Sequence, residues 1–313
     1  SNILVNNTEN LTILVRNSKE EEKINYERSI NRKIIYKLNK NIITSSNYEK
    51  TIKESQLIVL AVPSSSIKNN IEKINKFLSK DQIIISAIKG FEQDSKKTIS
   101  QYLIEKTSVD KKNIGVISGP NISIEIYNGL PATAVIGIDK SLEEKIRKLF
   151  NSEKFRAYSS NDIVGIEIGG VLKNIFAIGA GIIQEYKLGT NSMASYITRS
   201  LNEMKDIIIS FGGKEKTVFG NSGLGDLITT CFNQNSRNNQ LGSLLAQGKN
   251  IENAKKEIQG TIEGINSTKI IREILKKEKI ETKIINEIYE VLFNNKNPKI
   301  GINDLLSRED SKE

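Results

Sequence analysis

Lys173 stands in the setting that most suggests chemistry in this sequence. It lies in GGVLKNIFAIGAG at 169–181, an otherwise apolar helical pattern, with Gly169 and Ala177 one turn to either side and Gly170 and Gly181 nearby. Small neighbours leave room for another body against the helix. Desolvation disfavours an ammonium, so a lysine held there is expected to have a lowered pKa and to trade a proton near neutral pH. A lysine whose stem snorkels to a surface is the competing reading of the same residues. Composition narrows what else could move protons. The chain has no histidine and one cysteine, so the usual zinc spacings and any histidine-based triad are excluded, no metal site is expected, and proton transfer falls to Lys, Asp, Glu or Tyr. The single Cys231 has no partner for an internal disulfide and reads as a small buried side chain.

Other residues could bind anions. Arg237, between Ser236 and Asn238 and ahead of the helix-like NQLGSLLAQG, puts a guanidinium and capping-type side chains at a helix N-terminus. Free amides and a cation there suit a phosphate, although a helix cap with a solvated arginine fits the same residues. Lys89 follows the β-run IIISAI and so should lie at the carboxyl edge of a sheet, where open α/β folds place ligands; an ordinary loop lysine ahead of Gly90 is the alternative. Asp226 in GLGDL, and Asn174 directly after Lys173, fit structural or ligand-side roles. Arg16 closes LTILV where an acidic residue would grip the ribose of NAD. An arginine there favours the 2′-phosphate of NADP, a plain surface arginine being the other reading.

These residues need elements to position them. Up to about residue 158, the β-branched runs LTILV (11–15), LIVLAV (57–62), IIISAI (83–88), IGVIS (114–118) and TAVIGI (133–138) alternate with helix-length segments such as SIKNNIEKINKFL. That alternation predicts an α/β fold with a doubly wound, Rossmann-type parallel sheet. Past Tyr158 the pattern turns all-helical, with helices expected over 162–187, 192–210, 237–247, 263–277 and 281–293. A polar turn at 159–161, with Asp162 placed to cap the next helix, divides the 313 residues into 1–159 and 160–313. No glycine precedes Gly90, so the phosphate-cradling G-x-G-x-x-G is missing. SNILVNN therefore reads as the tail of a first crossover helix whose strand and loop lie upstream. Without that strand two neighbours are left unpaired and the first domain is weakened.

The net charge of +9 suits anionic small molecules, membranes or nucleic acid alike, but the lysines are scattered rather than interleaved with aromatics, so no nucleic acid is expected. The apolar stretch 163–183 is long enough to span a bilayer yet carries Glu167, Lys173 and Asn174 near its middle, which marks a buried helix and no membrane span. No leader pattern opens the chain, and the cytoplasm is the expected compartment. The long apolar helices of the second half suit a homodimer.

Seven motifs then occur in one order: LAVPS (60–64), AIKGFE (87–92), VISGP (116–120), GGVLKNIFAIGAG (169–181), GLGDLITTC (223–231), NSRN (235–238) and IEG (262–264). Together they resemble the bacterial-type NAD(P)-dependent glycerol-3-phosphate dehydrogenases, N-terminally truncated, over Ser1 to about Leu306. The resemblance implies a helical second domain of the 6-phosphogluconate dehydrogenase C-terminal type. It also implies interconversion of dihydroxyacetone phosphate and sn-glycerol 3-phosphate with NADP or NAD, for glycerophospholipid synthesis. Lys173 becomes the proton donor and acceptor, Lys89 a substrate and nicotinamide-side contact, and Asp226 a substrate-side carboxylate that orients Lys173. Asn174 and Thr230 would contact substrate oxygens, and Ser236, Arg237 and Asn238 the substrate phosphate, Arg237 also approaching the cofactor. Gly119 and Asn121 would face the substrate, although Asn121 and Ser123 stand where Thr and Ala are more usual. Arg16, the Val62–Pro63 turn, Ser123, Ile262 and Glu263 fall on the cofactor side. Two other functions fit parts of the pattern. One is a hydroxy-acid or opine-type dehydrogenase of the same plan, against which the GLGDLITTC and NSRN pair argues. The other is a catalytically silent fragment that binds a phosphorylated metabolite, for which the missing loop argues.

Overall fold

The computed structural model describes residues 2–31 and 35–306. Its first half runs β1 (Leu11–Leu14), α1 (Ser18–Glu27), β2 (Ser29–Asn31), β3 (Ile35–Lys37), β4 (Ile42–Ser45), α2 (Tyr48–Glu54), β5 (Leu57–Leu60), α3 (Ile67–Ile74), β6 (Ile83–Ser86), α4 (Ile99–Lys106), β7 (Ile114–Ser118), α5 (Ser123–Tyr127), β8 (Ala132–Gly137), α6 (Glu143–Phe150) and β9 (Phe155–Ser160). The main sheet has the order β5-β6-β7-β8-β9. Strands β5, β6 and β7 are parallel, as the alternating pattern predicts. The sheet then becomes mixed: β8 returns antiparallel to β7 after only the five-residue α5, and β9 pairs parallel with β8. A short connection without a full crossover helix allows that reversal.

Strand β6 shows why the sheet is layered. All four of its residues are buried, and their side chains alternate between two cores. Ile84 packs with Ile67, Ile71 and Leu103 on one face, whereas Ile83 and Ile85 pack with Ile136 and Ile146 on the other. β1 pairs only with β4, β2 pairs with β3 as a separate hairpin, and no described strand joins β1 to β5. β9 lies outside the sequence-derived strands because its signal is thin: only Phe155 and Ala157 turn inward, while Tyr158 faces out.

The second half is helical: α7 (Ile163–Glu185), α8 (Gly189–Ser210), α9 (Glu215–Val218), α10 (Asp226–Phe232), α11 (Arg237–Ala246), α12 (Ile251–Glu257), α13 (Glu263–Lys277), α14 (Lys283–Phe293) and α15 (Pro298–Leu306). α7 is its axis, buried without interruption from Gly165 to Ile183. It is long and apolar enough to cross a membrane, but its apolar stretch lies wholly inside the protein. Asp162 starts the helix as expected. One oxygen accepts from Gly165 N at 2.9 Å, and the other accepts from Lys214 N at 2.9 Å and Thr217 Oγ1 at 2.5 Å. At Gly181 any side chain would run into the backbone carbonyl of Asn239, so α11 lies directly on α7.

Phe91 and Glu167 help to fasten the halves near the sheet edge. Phe91, just after β6, is buried in the helical core. Glu167 of α7 reaches the first turn of α4, accepting from Ser100 N at 2.9 Å and Ser100 Oγ at 2.6 Å. Burial pushes the Glu167 carboxyl above its ordinary value, and the donors at the α4 N-terminus offset only part of that.

Candidate active site

Three elements meet where the parallel strands end. β6 runs into Ala87–Ile88–Lys89, β7 ends at Ser118 and Gly119, and a π-helical turn over Asn221–Gly225 leads into α10 at Asp226. α7 passes behind them with Lys173. Gly170 makes this approach possible, since a Cβ there would sit 2.8 Å from Ser118 Oγ and 3.6 Å from Lys89 Cγ.

Asp226 is the hub, with its side chain 1% exposed. Lys173 Nζ donates to Oδ1 at 2.5 Å. Lys89 Nζ donates to Oδ2 at 2.5 Å, where Ser118 Oγ and Gly119 N also donate at 3.1 and 3.4 Å. Lys89 Nζ also lies 3.4 Å from the Gly119 carbonyl oxygen. Two ammonium groups thus share one carboxylate in a water-poor centre, leaving a net positive charge suited to a developing oxyanion. Burial favours the neutral acid at Asp226, but Lys173 and then Lys89 outweigh it, so the carboxyl lies below its usual range. Lys89 moves the other way. Burial pulls it down to about 8, opposed by the attraction of Asp226 and assisted by repulsion from Lys173. Cys231 is buried as expected, and burial pushes its thiol up, away from the reactive thiolate.

A second polar chain runs from this hub across the helices. Asn174 Nδ2 lies 3.4 Å from the Lys89 carbonyl oxygen, Asn238 Nδ2 donates to Asn174 Oδ1 at 3.0 Å, and Gly264 N donates to Asn238 Oδ1 at 3.0 Å. Next to Gly264, Glu263 accepts from Ser64 N at 3.0 Å and Ser64 Oγ at 2.5 Å, which ties α13 to the Val62–Pro63 turn after β5. Thr230 is buried one turn along α10, its hydroxyl donating to the Asp226 carbonyl at 2.7 Å. Ile262 is buried just ahead of α13.

The structure therefore brings together Lys173, Lys89, Asp226 and Gly119, with Asn174, Asn238, Thr230 and Glu263 around them. Other expected residues make no hydrogen bond to this cluster among the described residues. Arg16 is exposed after β1, Ser123 is exposed at the start of α5, Asn121 and Val62 are half-buried, and Pro63 is exposed. Arg237 is exposed at the first position of α11, its guanidinium against Gly260, and has no ion-pair partner among the described residues. Ser236 is the N-cap but its side chain makes no capping bond, so the α11 N-terminus keeps unsatisfied amides beside a free cation. Sequence reasoning passed over Ser64 and Ser118 as individual residues. Both fall inside the motifs LAVPS and VISGP and sit at strand ends, which was the available signal.

The residues fit a dinucleotide at two of its parts. Arg16, Pro63 and Lys89 follow the carboxyl ends of the parallel strands β1, β5 and β6, with Glu263 beside the second of these turns. No glycine-rich turn for a pyrophosphate occurs in residues 1–89.

Comparison with known proteins identifies the family. The profile described as NAD-dependent glycerol-3-phosphate dehydrogenase N-terminus matches residues 1–143, and that described as its C-terminus matches residues 162–303. A glycerol-3-phosphate dehydrogenase [NAD(P)+] from Fusobacterium nucleatum is 36% identical over 309 residues, covering 98% of this chain and 92% of the relative. One from Halothermothrix orenii is 35% identical over 311 residues, covering 98% and 90%. Among solved structures, glycerol-3-phosphate dehydrogenase from Coxiella burnetii superposes with a TM-score of 0.91 at 26% identity, covering 98% of this chain and 94% of that one.

Proposed function

The chain belongs to the NAD-dependent glycerol-3-phosphate dehydrogenase family and is an NAD(P)-dependent oxidoreductase interconverting dihydroxyacetone phosphate and glycerol 3-phosphate; from that premise we propose that Lys173 carries the proton of the reaction. The observation that carries this reading is Asp226 held between Lys173 and Lys89, each at 2.5 Å. When bound, NAD(P)H supplies the hydride. The Lys173 ammonium gives its proton to the oxygen of the former ketone, and takes one from the alcohol in the reverse direction. Lys89 lies on the side from which the carbonyl oxygen would be polarised, and Asp226 keeps both ammonium groups aimed at one point. A preorganised pair of this kind stabilises a developing alkoxide without reorganisation at the moment of reaction.

Arg237 at the amide-rich start of α11 is the seat for the substrate phosphate, with Ser236 and Asn238 beside it. Asn121, Gly119, Asn174 and Thr230 line the substrate between that seat and the lysines. On the cofactor side Arg16 would meet the ribose, favouring NADP, while Val62, Pro63, Ser123, Ile262 and Glu263 line the remainder. Residues 1–159 act as the dinucleotide-binding domain and 160–313 as the helical substrate domain. The enzyme works as a cytoplasmic homodimer, and its product feeds glycerophospholipid synthesis.

The phosphate seat has a direct test. Binding energy at Arg237 should be used to position the ketone, so dihydroxyacetone phosphate should be reduced at least about 10²-fold more efficiently than dihydroxyacetone. In Arg237→Ala that preference should collapse through loss of activity on the phosphorylated ketone alone. An equal preference in the unaltered enzyme would overturn the assignment.

A further inference from the structure

We infer that Ser118 is a positioning residue for the proton-transfer centre: its hydroxyl, at the end of β7, fixes the rotation of Asp226 and so decides which carboxylate oxygen each lysine receives. This rests on the assignment of Lys173 and deepens it.

The argument starts from the carboxylate. Asp226 extends from α10, in the helical half, and has no backbone donor from its own helix among its contacts; what holds it comes from elsewhere. Among the described residues Oδ1 has a single donor, Lys173. Oδ2 has three, and two of them, Ser118 Oγ at 3.1 Å and Gly119 N at 3.4 Å, belong to the rigid end of a central strand. Of those two, the hydroxyl is the nearer and better donor. Without it, the carboxylate would be oriented by the longer Gly119 N contact and by two lysines on flexible stems, either of which could bridge both oxygens. The sheet half thus sets the orientation of an acid that belongs to the helical half.

Ser118 is placed for this and little else. It is 3% exposed, among the described residues its hydroxyl bonds to Asp226 alone, and the absence of a side chain at Gly170 of α7 keeps space beside Oγ. The groups that face Asp226 are Lys89 from the loop after β6, Lys173 from α7 and the Cys231 thiol from α10, which burial keeps neutral. A hydroxyl hydrogen bond disperses charge from the carboxylate. Its removal should leave Asp226 a stronger counter-ion, raise the pKa of the lysine on Oδ2 and loosen the geometry.

The test compares Ser118→Ala and Ser118→Cys with the unaltered enzyme in dihydroxyacetone phosphate reduction, alongside Lys173→Ala. Loss of one hydrogen bond to a charged group predicts that kcat falls about tenfold in Ser118→Ala, with KM changed less than about threefold. The alkaline limb of the pH profile should move upward. Ser118→Cys keeps the volume but offers only a weak donor, so it should behave like Ser118→Ala. Full activity in Ser118→Cys would mean that the serine fills space, and unchanged kcat and pH limb in Ser118→Ala would mean that it does nothing here; either overturns the inference. Near-normal turnover in Lys173→Ala would instead overturn the assignment on which it rests, which keeps the two failures distinct.

Discussion

The two lysines that share Asp226 are held by unlike structures. Lys173 rises from the middle of α7, which is capped by Asp162, buried from Gly165 to Ile183 and pressed against α11. Lys89 sits in a loop beyond β6, on the five-stranded sheet whose β5 edge no described strand joins to β1, and its side chain is 18% exposed against 10% for Lys173. The helix fixes position; the loop allows adjustment, restrained by Phe91 in the helical core and by the Asn174 contact to the Lys89 carbonyl. A proton donor benefits from the first kind of support, because misplacement by a fraction of an ångström is costly. A group with the polarising role proposed for Lys89 can tolerate the second.

Predictions that would break this comparison begin with Lys89. Because its pKa is drawn down to about 8, its charged fraction falls as pH rises through that value, and kcat/KM for ketone reduction should decline on the alkaline side. Lys89→Ala should lower kcat/KM by about 10²-fold at pH 7. Lys89→Arg stays charged at any accessible pH, so whatever activity it keeps should lack that limb. If the limb persists unchanged in Lys89→Arg, the titrating group lies elsewhere and the contrast between the lysines fails.

The contact between the halves through Glu167 gives a smaller effect. Its folded-state pKa is raised above the ordinary 4.5, so the stability it contributes is complete below that value and is lost as pH rises through the folded value. Glu167→Gln keeps an acceptor for Ser100 N without the buried charge. Its melting temperature relative to the unaltered protein should therefore climb between pH 5 and pH 8, by on the order of 2 °C. A difference that stays flat with pH would show that burial of this carboxyl is not what strains the junction.

Much of this was legible in the sequence, for reasons that differ by element. Helices α7, α11, α13 and α14 announce themselves through long periodicity and, for α7, the Asp162 cap, and they appear within a few residues of expectation. The parallel strands β5, β6 and β7 carry dense β-branched runs. The reversal at β8 leaves no mark in composition, since a strand reads alike in either direction, and β2 and β3 are three residues each, below any useful period. Lys173 stood out as a charge in an apolar helix. The pairing of both lysines on opposite oxygens of Asp226 did not, because residues 89, 118, 173 and 226 meet only through tertiary packing. Ser64 was likewise hidden: a serine after Val-Pro looks like any turn residue until Glu263 reaches it from α13.

The most direct test of the central claim is the rate of dihydroxyacetone phosphate-dependent NADPH oxidation by Lys173→Ala beside the unaltered protein, with circular dichroism to establish that both are folded. The account predicts robust turnover in the unaltered protein and a fall in kcat of about 10³-fold or more in the variant, as expected for removal of a general acid held in a preorganised site. A folded Lys173→Ala enzyme turning over within a few-fold of normal would contradict it.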